Sequence, residues 1–344
     1  MTTTISFKPK QVTKKLLEVL AERAQDVLTK RYGIGKDTEK KTLEAIGKEY
    51  GITRERVRQI EEYSLANIRK SDEFKKTEPI FEELKSCIDE LGAVISEQEL
   101  LNHFSKNESI QNHIHFLLVL GSDFTRMKED KFFHHRWIID STLAEKVHTS
   151  IKKLYEGLNE DAIVSESELI ESFLGYLKNV SEQYKDEAIL RRWLGTTKKI
   201  DKNPLGEWGR SDSPNINVKG MRDYAFLVIR RHGSPIHFRE VADTITQLFG
   251  KKAHVATCHN ELIKDSRFVL VGRGLYALTE WGYISGVVRD VISEIIKKHG
   301  PLTREEIIDK VLKERYVKEN TIMVNLQNPA YFKKDSKGRY SIAS

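Results

Sequence analysis

The sequence predicts a mainly α-helical protein, in which a helix-turn-helix module precedes a tandem array of small units with short β-hairpins. Two observations support this fold class. Residues 42–61 have the pattern of a helix, a glycine turn and a second helix whose outer face is polar. Farther along, one helix-capping pattern recurs four times between residues 95 and 308. At 344 residues the chain is long enough for two or more domains, each with its own core.

Composition indicates a globular protein without membrane segments. Hydrophobic residues make up 39% of the chain and charged residues 31%, a balance typical of folded domains rather than disordered tails. No apolar run approaches the roughly 20 residues of a membrane helix, and the N-terminus lacks the features of a signal peptide. Cys87 and Cys258 lie in apolar helical patterns, so we expect buried free thiols. The expected location is the cytoplasm.

The net charge of +6 is unevenly distributed along the chain. Residues 1–78 contain 18 Lys+Arg and 13 Asp+Glu, a net charge of +5. This basic N-terminal quarter predicts a polyanion contact there. Residues 79–344 are close to neutral in sum, which argues against strong phosphate neutralisation by every downstream unit.

The N-terminal module begins with a helical stripe of apolar residues between residues 12 and 30, which Gly33 ends. Thr42 is placed to cap a short helix that runs through residue 49. Gly51 lies where a helix C-terminus needs a left-handed residue. Thr53 then caps the next helix. This order predicts a helix-turn-helix.

The second helix of this motif has two distinct faces. Its apolar face carries Val57, Ile60, Leu65 and Ile68, and its opposite face carries Glu55, Arg58, Gln59 and Glu62. In a helix-turn-helix the first residues of this helix meet base edges in the major groove. Arg suits guanine, Gln suits adenine, and Glu accepts a hydrogen bond from cytosine. The alternative is an exposed, ion-paired helix face without a DNA partner.

The predicted DNA-binding residues combine caps, base readers and phosphate contacts. They are Thr42, Lys48, Thr53, Arg54, Glu55, Arg56, Arg58, Gln59 and Arg69. Lys48, Arg56 and Arg69 are placed for phosphates, which add affinity without sequence information.

Two stretches of this module, Asp26-Val-Leu-Thr-Lys-Arg-Tyr-Gly-Ile-Gly and Thr42 to Glu62, resemble region 4 of primary bacterial sigma factors. The resemblance covers about residues 12–71. It implies binding of double-stranded DNA at a promoter −35 element and docking on the β flap of core RNA polymerase. By the same resemblance Arg54, Glu55 and Gln59 would read bases, and Arg58 would contact the DNA backbone.

The chain departs from a complete sigma factor in one respect. About a dozen residues precede the module, and nothing downstream resembles the aromatic-rich sigma region that binds and melts the −10 element. Trp137, Trp193, Trp208 and Trp281 are dispersed and fit cores or hairpins. We therefore expect an accessory or regulatory factor rather than a protein that acts alone as a sigma factor.

The remainder of the chain repeats one capping pattern four times. In each copy an apolar residue precedes a cap, and a Glu three residues on precedes an apolar pair; the caps are 69, 72 and 66 residues apart. The pairs are Ser96/Glu99, Ser165/Glu168, His237/Glu240 and Thr303/Glu306. Three of these pairs are capping boxes, and the His237 pair is a variant.

Each copy also ends with two aromatic or apolar positions eight or nine residues apart. They are Phe124/Phe133, Ile200/Trp208, Phe268/Tyr276 and Phe332/Tyr340. A glycine precedes the final aromatic residue in three copies, as a β-hairpin turn requires. A helix, a capped helix, a third helix and two short strands make a winged helix-turn-helix, so we predict four tandem units of this kind with short β-hairpin wings.

The predicted domains are the helix-turn-helix module at 1–78 and winged helices at 79–142, 143–212, 220–283 and 284–344. A Gly/Ser/Pro/Asn-rich segment at 206–220 is predicted to be the linker between the second and third winged helices.

The third copy supports a more specific comparison. The stretches Gly233-Ser-Pro-Ile-His-Phe-Arg-Glu-Val and Asp265-Ser-Arg-Phe-Val-Leu-Val-Gly-Arg-Gly-Leu-Tyr resemble the HARE-HTH domain over residues 220–283. That winged-helix family includes a domain of the RNA polymerase delta subunit and occurs fused to restriction endonucleases and chromatin proteins. The candidate second DNA contact comprises Lys251, Lys252, His254, His259 and Lys264. Winged helices also dock proteins, so both roles remain open.

Catalytic and metal-binding patterns are lacking. Histidine and cysteine clusters occur at His113/His115, at His134/His135 and at His254/Cys258/His259. None has the ligand spacing of a structural zinc site, and surface or capping histidines are the better interpretation. No phosphate loop, nucleophile elbow or His-Glu-x-x-His motif occurs. We predict a non-enzyme with no metal, no cofactor and no small-molecule substrate.

The sequence therefore predicts a DNA-binding, nucleoid-associated transcription factor or RNA polymerase accessory factor. One alternative is the DNA-recognition subunit of a restriction or defence system whose nuclease is a separate chain. A second is a protein-docking adaptor.

Overall fold

The structure is a computed structural model that describes residues 5–343, and it divides into two compact units. Unit 1 comprises Met1–Glu160 and Val164–Asp201, and unit 2 comprises Asp161–Ile163 and Lys202–Ser344. The described residues form seventeen α-helices and ten short strands, so the predicted mainly α fold is confirmed. Among these helices, none is long and apolar enough to cross a membrane.

The N-terminal module consists of helices whose caps follow the sequence pattern. The helices are α1 (Pro9–Leu17), α2 (Glu22–Tyr32), α3 (Leu43–Tyr50), α4 (Arg54–Lys70) and α5 (Asp72–Lys75). Helix α2 ends at Gly33 and α3 at Gly51, both in the left-handed conformation with φ of 60° and 65°. Only glycine adopts this conformation readily, which is why it ends helices so often.

The first repeat follows as a helix, a strand, two helices and two strands. Its elements are α6 (Glu78–Glu90), β1 (Val94–Ser96), α7 (Glu97–Phe104), α8 (Glu108–Leu120), β2 (Thr125–Met127) and β3 (Arg136–Ile138). The antiparallel sheet has the order β1-β3-β2, with Ile95 opposite Trp137. The predicted hairpin position at Phe133 was wrong, because the second strand begins three residues later. Phe133 instead forms an isolated bridge with Thr197 of the second repeat.

The second repeat has the same helix order. Its elements are α9 (Ser141–Gly157), α10 (Glu166–Tyr176), α11 (Glu187–Leu194), β4 (Ile200–Lys202) and β5 (Trp208–Arg210). It packs on the first repeat through α11. The indole Nε1 of Trp193 donates to the Gly92 carbonyl at 2.9 Å. A Cβ at Gly92 would lie 2.6 Å from the Ile189 side chain, so this contact requires glycine.

The N-terminal module and the first repeat share one hydrophobic core. Leu16 of α1, Leu28 of α2 and Ile68 of α4 pack in the same cluster as Ile114 and Phe116 of α8. Eight of the thirteen residues of α8 are buried. A helix that is buried on almost all sides needs apolar neighbours all round, and α8 obtains them from both segments.

Polar contacts fix α8 against the module at both ends. Near the start of α8, the Asn112 amide donates to the Gly33 carbonyl at 3.0 Å and to the Thr38 carbonyl at 2.9 Å. At the other end, the Arg69 guanidinium of α4 donates to the carbonyls of Val119 and Leu120, at 2.8 and 3.0 Å. These carbonyls belong to the C-terminal turn of α8, where a cation also interacts favourably with the helix dipole.

In unit 2 the third and fourth repeats again show the same element order. The third has α12 (Met221–His232), β6 (Ile236–His237), α13 (Phe238–Phe249), α14 (Val255–Lys264), β7 (Phe268–Leu270) and β8 (Leu275–Leu278). The fourth has α15 (Val288–His299), α16 (Arg304–Glu314), α17 (Glu319–Leu326), β9 (Phe332–Lys334) and β10 (Tyr340–Ile342). The third sheet has the order β6-β8-β7, and a bridge from Leu302 to Tyr340 replaces its first strand in the fourth repeat.

Two of the predicted capping boxes are complete. Ser165 with Glu168 and Thr303 with Glu306 form both reciprocal hydrogen bonds. Ser96 accepts from the Glu99 N–H without the return bond from the Glu99 side chain. His237 caps its helix through the Arg239 N–H.

The hairpin glycines Gly206, Gly274 and Gly338 all have positive φ, between 75° and 82°. The turns predicted at these glycines are therefore present.

The segment 206–220 is packed rather than open. Asn215 and Ile216 are buried, and the Asn215 amide donates to the Asp161 carbonyl at 3.1 Å. Composition alone predicted a linker here, but the polar side chains make internal hydrogen bonds.

Cys87 and Cys258 are buried and form no disulfide, as predicted. The five predicted domains stay predictions, and the shared core shows that packing is continuous across the first boundary, at residues 78–79.

We predict that Asn112→Ala lowers the free energy of unfolding of unit 1 by about 1–3 kcal/mol, because two buried carbonyls lose their donor. Lys106→Ala, in the exposed turn before α8, is the matched control and should stay within about 0.5 kcal/mol. Urea denaturation followed by circular dichroism measures both changes. Similar stability of the two variants would contradict the role given to Asn112.

Candidate nucleic-acid interface

The caps of α3 and α4 position the helix-turn-helix. The Thr42 hydroxyl accepts from the Ala45 N–H at 3.1 Å. The Thr53 hydroxyl accepts from the Arg56 N–H, also at 3.1 Å. Each cap satisfies one of the N–H groups that a helix N-terminus leaves without a partner. Thr42 and Thr53 therefore define where the two helices begin.

The angle between α3 and α4 depends on close packing at their crossing. Val27, Ile46 and Val57 form a small core and are all fully buried. A Cβ on Gly47 would lie 2.7 Å from the Ile52 carbonyl oxygen, so a side chain at this position would push the turn away from α3. The absence of a side chain at Gly47 allows the second helix to lie close against the first.

The outer face of α4 is exposed, as the sequence predicted. Arg54, Glu55, Arg56, Arg58 and Gln59 all belong to this exposed surface in the first two turns of the helix. Because no other part of unit 1 buries these side chains, they are accessible to a ligand as large as a DNA duplex. The geometry thus agrees with a helix that can enter the major groove.

Ion pairs along α4 hold Arg58 between two carboxylates. Its Nε and Nη2 atoms donate to Glu55 at 2.9 and 2.6 Å, and its Nη1 atom donates to Glu62. Hydrogen bonding from Arg58 keeps the pKa of Glu55 below its usual value. Glu55 is therefore an ionised acceptor at neutral pH. Exposed ion pairs of this kind contribute only a few tenths of a kcal/mol to the stability of a helix. DNA binding can therefore break them with little loss of stability.

Arg54 and Gln59 differ in how they are held. The Arg56 guanidinium donates to the Gln59 amide oxygen at 3.1 Å, and the Gln59 side chain also forms a hydrogen bond with the Glu55 carboxylate. Within residues 5–343 Arg54 forms no ion pair at contact distance, although the carboxylates of Glu44 and Glu55 are near enough to interact with its charge. It is thus an exposed guanidinium in the first turn of α4.

All three predicted phosphate contacts have intramolecular partners, and that of Arg56 is the Gln59 amide oxygen. Lys48 pairs with Glu44 at 3.0 Å on the exposed side of α3, an arrangement that DNA could readily displace. Arg69 instead donates to the last carbonyls of α8. Its guanidinium has a structural role in the folded chain that sequence reasoning missed, and its phosphate contact stays a prediction.

Sequence reasoning also missed the network that attaches α3 to α2. Lys30 pairs with Asp26 at 2.7 Å and with Glu49 at 3.0 Å, and the Tyr50 hydroxyl donates to Asp26. The spacing of Asp26 and Lys30 was the one local signal of this network. Contacts with Glu49 and Tyr50 depend on the tertiary fold.

Sequence reasoning also missed Tyr63, which is exposed on α4 one turn after Gln59.

The four repeats use their third helices differently. In a helix-turn-helix the second helix of the pair reads the groove, and in these repeats that position is held by α8, α11, α14 and α17. Helix α8 is buried against the N-terminal module, and α11 packs Trp193 against the first repeat. Helix α14 keeps an exposed face with Val255 and Ile263, and α17 exposes Val324.

The five candidate residues of the third repeat lie along α14 and in the segment just before it. Lys251 and Lys252 precede α14, and the Lys251 ammonium lies 4.6 Å from the Tyr224 ring centre. His254 is the N-cap residue, Lys264 lies in the last turn, and the His259 ring stacks on Phe238 with a centroid distance of 4.2 Å. A contact of all five with one ligand stays a prediction.

Residues 79–344 are close to neutral in sum because two segments of opposite net charge cancel. Residues 79–201 contain 15 Lys+Arg and 22 Asp+Glu, a net charge of −7. Residues 202–344 contain 24 Lys+Arg and 16 Asp+Glu, a net charge of +8. The expectation of weak phosphate neutralisation therefore applies to the first two repeats and not to the last two.

Comparison with known proteins identifies the N-terminal segment. Residues 16–70 match the family Sigma-70, region 4. Identity is 38% over 73 residues with RNA polymerase sigma factor SigA from a Bacillus species, 46% over 59 residues with RNA polymerase sigma factor RpoD of Neisseria gonorrhoeae, and 44% over 62 residues with SigA of Clostridium acetobutylicum. These alignments cover 21%, 17% and 18% of this chain and 19%, 9% and 16% of the relatives. The chain thus spans less than a fifth of the relatives' length.

The resemblance predicted for residues 12–71 is confirmed over residues 16–70, which form a sigma-factor-like helix-turn-helix module. The HARE-HTH resemblance of residues 220–283 stays a prediction.

We predict that Thr53→Ala lowers the free energy of unfolding of unit 1 by about 1 kcal/mol, because α4 loses its N-cap acceptor. Thr53→Ser keeps a hydroxyl at the same position and should retain most of the stability. Urea titration of both variants followed by far-ultraviolet circular dichroism measures the difference. If both variants lost the same free energy of unfolding, the methyl group of Thr53, and not its hydroxyl, would account for the loss.

Proposed function

We propose that this protein binds double-stranded DNA through α4 and acts in transcription as an accessory factor of RNA polymerase. The observation that carries this function is the exposed polar face of α4, with Arg54, Glu55 and Gln59 on a module that matches sigma-70 region 4. On this proposal the DNA sequence that it reads is of the −35 type. The protein would act at the nucleoid in the cytoplasm.

Each residue of the face has a chemical role. Arg54 is suited to donate to a guanine, and Gln59 to pair with an adenine. Glu55, kept ionised, can accept from the amino group of a cytosine. Arg56, Lys48 and, at the DNA backbone, Arg58 would neutralise phosphates. Thr42 and Thr53 position both helices through their caps.

Packing within the chain supports the proposal for α4 and limits the ways in which polymerase can bind. Helix α8 covers the apolar side of the module, while the DNA-facing side of α4 is left free. A polymerase partner such as the β flap therefore has to use the exposed surface of the module or displace α8. The buried polar contacts of Asn112 make displacement costly.

The four repeats are, in this proposal, winged helix-turn-helix units at 79–142, 143–212, 220–283 and 284–344. The first two act as a scaffold, since their third helices are used for packing. The last two, of which the third resembles HARE-HTH, present cationic and apolar surfaces to further partners. The residues that would contact a second DNA segment there are Lys251, Lys252, His254, His259 and Lys264.

We predict that Arg54→Ala and Gln59→Ala each weaken binding to a duplex with a −35-type element by about 1–3 kcal/mol, with little change on random DNA. Lys48→Ala is the matched control, because loss of a phosphate contact weakens both duplexes alike. Fluorescence anisotropy at several salt concentrations separates the two patterns. Equal losses on both duplexes for Arg54→Ala would contradict base reading.

We further predict that core RNA polymerase copurifies with the tagged full chain after nuclease treatment removes DNA. Arg54→Ala should copurify equally well, because base reading is not needed for a protein contact. Recovery of a nuclease partner in place of polymerase would instead indicate the DNA-recognition subunit of a restriction or defence system. Binding to neither DNA nor polymerase would indicate a protein-docking adaptor.

A further inference from the structure

A cleft of about 830 Å³ lies between the third and fourth repeats, within unit 2. One wall is the hairpin turn of the third repeat, from Leu270 to Leu275. The other is formed by the end of α16 and the start of α17, around Leu312 and Tyr316. The segment at Val287, which joins the two repeats, closes one side.

The shape of the cleft is fixed by backbone contacts. The Tyr316 N–H donates to the Val271 carbonyl at 2.7 Å, and Gly272 forms a parallel bridge with Tyr316. A Cβ on Gly272 would lie 2.9 Å from the Cβ of Tyr316, so this approach requires glycine. These contacts hold the two walls of the cleft together, so its shape is a fixed feature of unit 2.

The cleft exposes large apolar side chains. Leu270 is 48% exposed, Val287 59%, Leu312 41% and Tyr316 56%. Within the described residues, ten of the thirteen exposed large hydrophobic side chains lie in unit 2. Exposed apolar groups clustered in a concave surface are typical of a binding site for another molecule.

Every charged residue that lines the cleft is a cation. Arg273, Arg315 and Lys318 line it, and no acidic side chain does. Arg273 and Lys318 are not paired with any carboxylate in residues 5–343. This local excess of positive charge agrees with the net charge of +8 on residues 202–344.

Arg315 places a further positive charge beneath the cleft. It is 3% exposed, and its guanidinium donates to the carbonyls of Leu270, Ile284 and Gly286, the last at 2.8 Å. Carbonyl oxygens satisfy its hydrogen bonds, and the neighbouring Glu314 interacts with its charge. Glu314 lies outside the lining of the cleft, so the charges on the cleft surface itself are positive, which favours an anionic ligand.

We propose that this cleft docks an acidic polypeptide segment, which inserts an aliphatic or aromatic side chain between Leu270 and Leu312. Carboxylates of that segment would pair with Arg273 and Lys318. A nucleic acid fits less well, since phosphates would gain nothing from Leu270, Val287, Leu312 or Tyr316. Binding here does not depend on DNA reading by α4.

The test uses the full chain and three short fluorescein-labelled peptides in anisotropy titrations. The first peptide combines Asp and Glu with Leu, the second replaces the acidic residues with Lys, and the third replaces Leu with Ser. The first should bind about tenfold or more tightly than either control, since both charge and apolar contact contribute. Equal binding of all three peptides would overturn the proposal.

Substitutions locate the binding in the cleft. The double variant Arg273→Glu with Lys318→Glu should lose about tenfold or more in affinity for the acidic peptide. Lys313→Glu is the matched control, because Lys313 lies at the end of α16 close to the cleft but outside its lining, and it should leave affinity unchanged. Circular dichroism checks that both variants fold. Unchanged affinity of the double variant, or displacement of the peptide by an unlabelled DNA duplex, would overturn the proposal.

Discussion

Helix α8 is the element on which the arrangement of unit 1 depends. Its apolar side chains lie in the hydrophobic core that the first repeat shares with helices α1, α2 and α4 of the N-terminal module. Burying a large apolar side chain contributes about 1.5–3 kcal/mol, so the several residues of α8 give strong coupling between the two segments. Asn112 and Arg69 add the polar contacts that fix its position.

This packing limits where the chain can contact DNA. Helix α8 is buried on almost all sides and has no free face for a DNA groove, whereas α11 buries only the face that carries Trp193. The first two repeats carry a net charge of −7 from residue 79 to residue 201, which disfavours phosphate contacts. We therefore propose that DNA reading by unit 1 is confined to the N-terminal module, and that the cationic and apolar surfaces of unit 2 bind other partners.

Much of this organisation could be predicted from the sequence, because its signals are local. Caps such as Thr42 and Thr53, and glycines such as Gly51, act on the next few residues. The hairpin glycines fix turns in the same way. The helical spacing of the apolar residues also distinguished the buried face of α4, which carries Val57, from the exposed face, which carries Gln59.

The remaining features depend on contacts between segments far apart in the chain. The sequence pattern shows that α8 is apolar, but it does not show that its partner is the N-terminal module. For the same reason the partner of Arg69 and the buried position of Asn215 were missed. Phe133 was misplaced because its bridge to Thr197 belongs to the contact between the first two repeats, and not to the hairpin that the spacing predicted.

We propose that α4 reads DNA while α8 stays docked on the same module. The decisive measurement is hydrogen exchange by mass spectrometry on the full chain, with and without a −35-type duplex. We expect slower exchange at residues 53–62 on DNA binding and unchanged protection at residues 108–120. Faster exchange at 108–120 in the complex, or no added protection at 53–62, would contradict it.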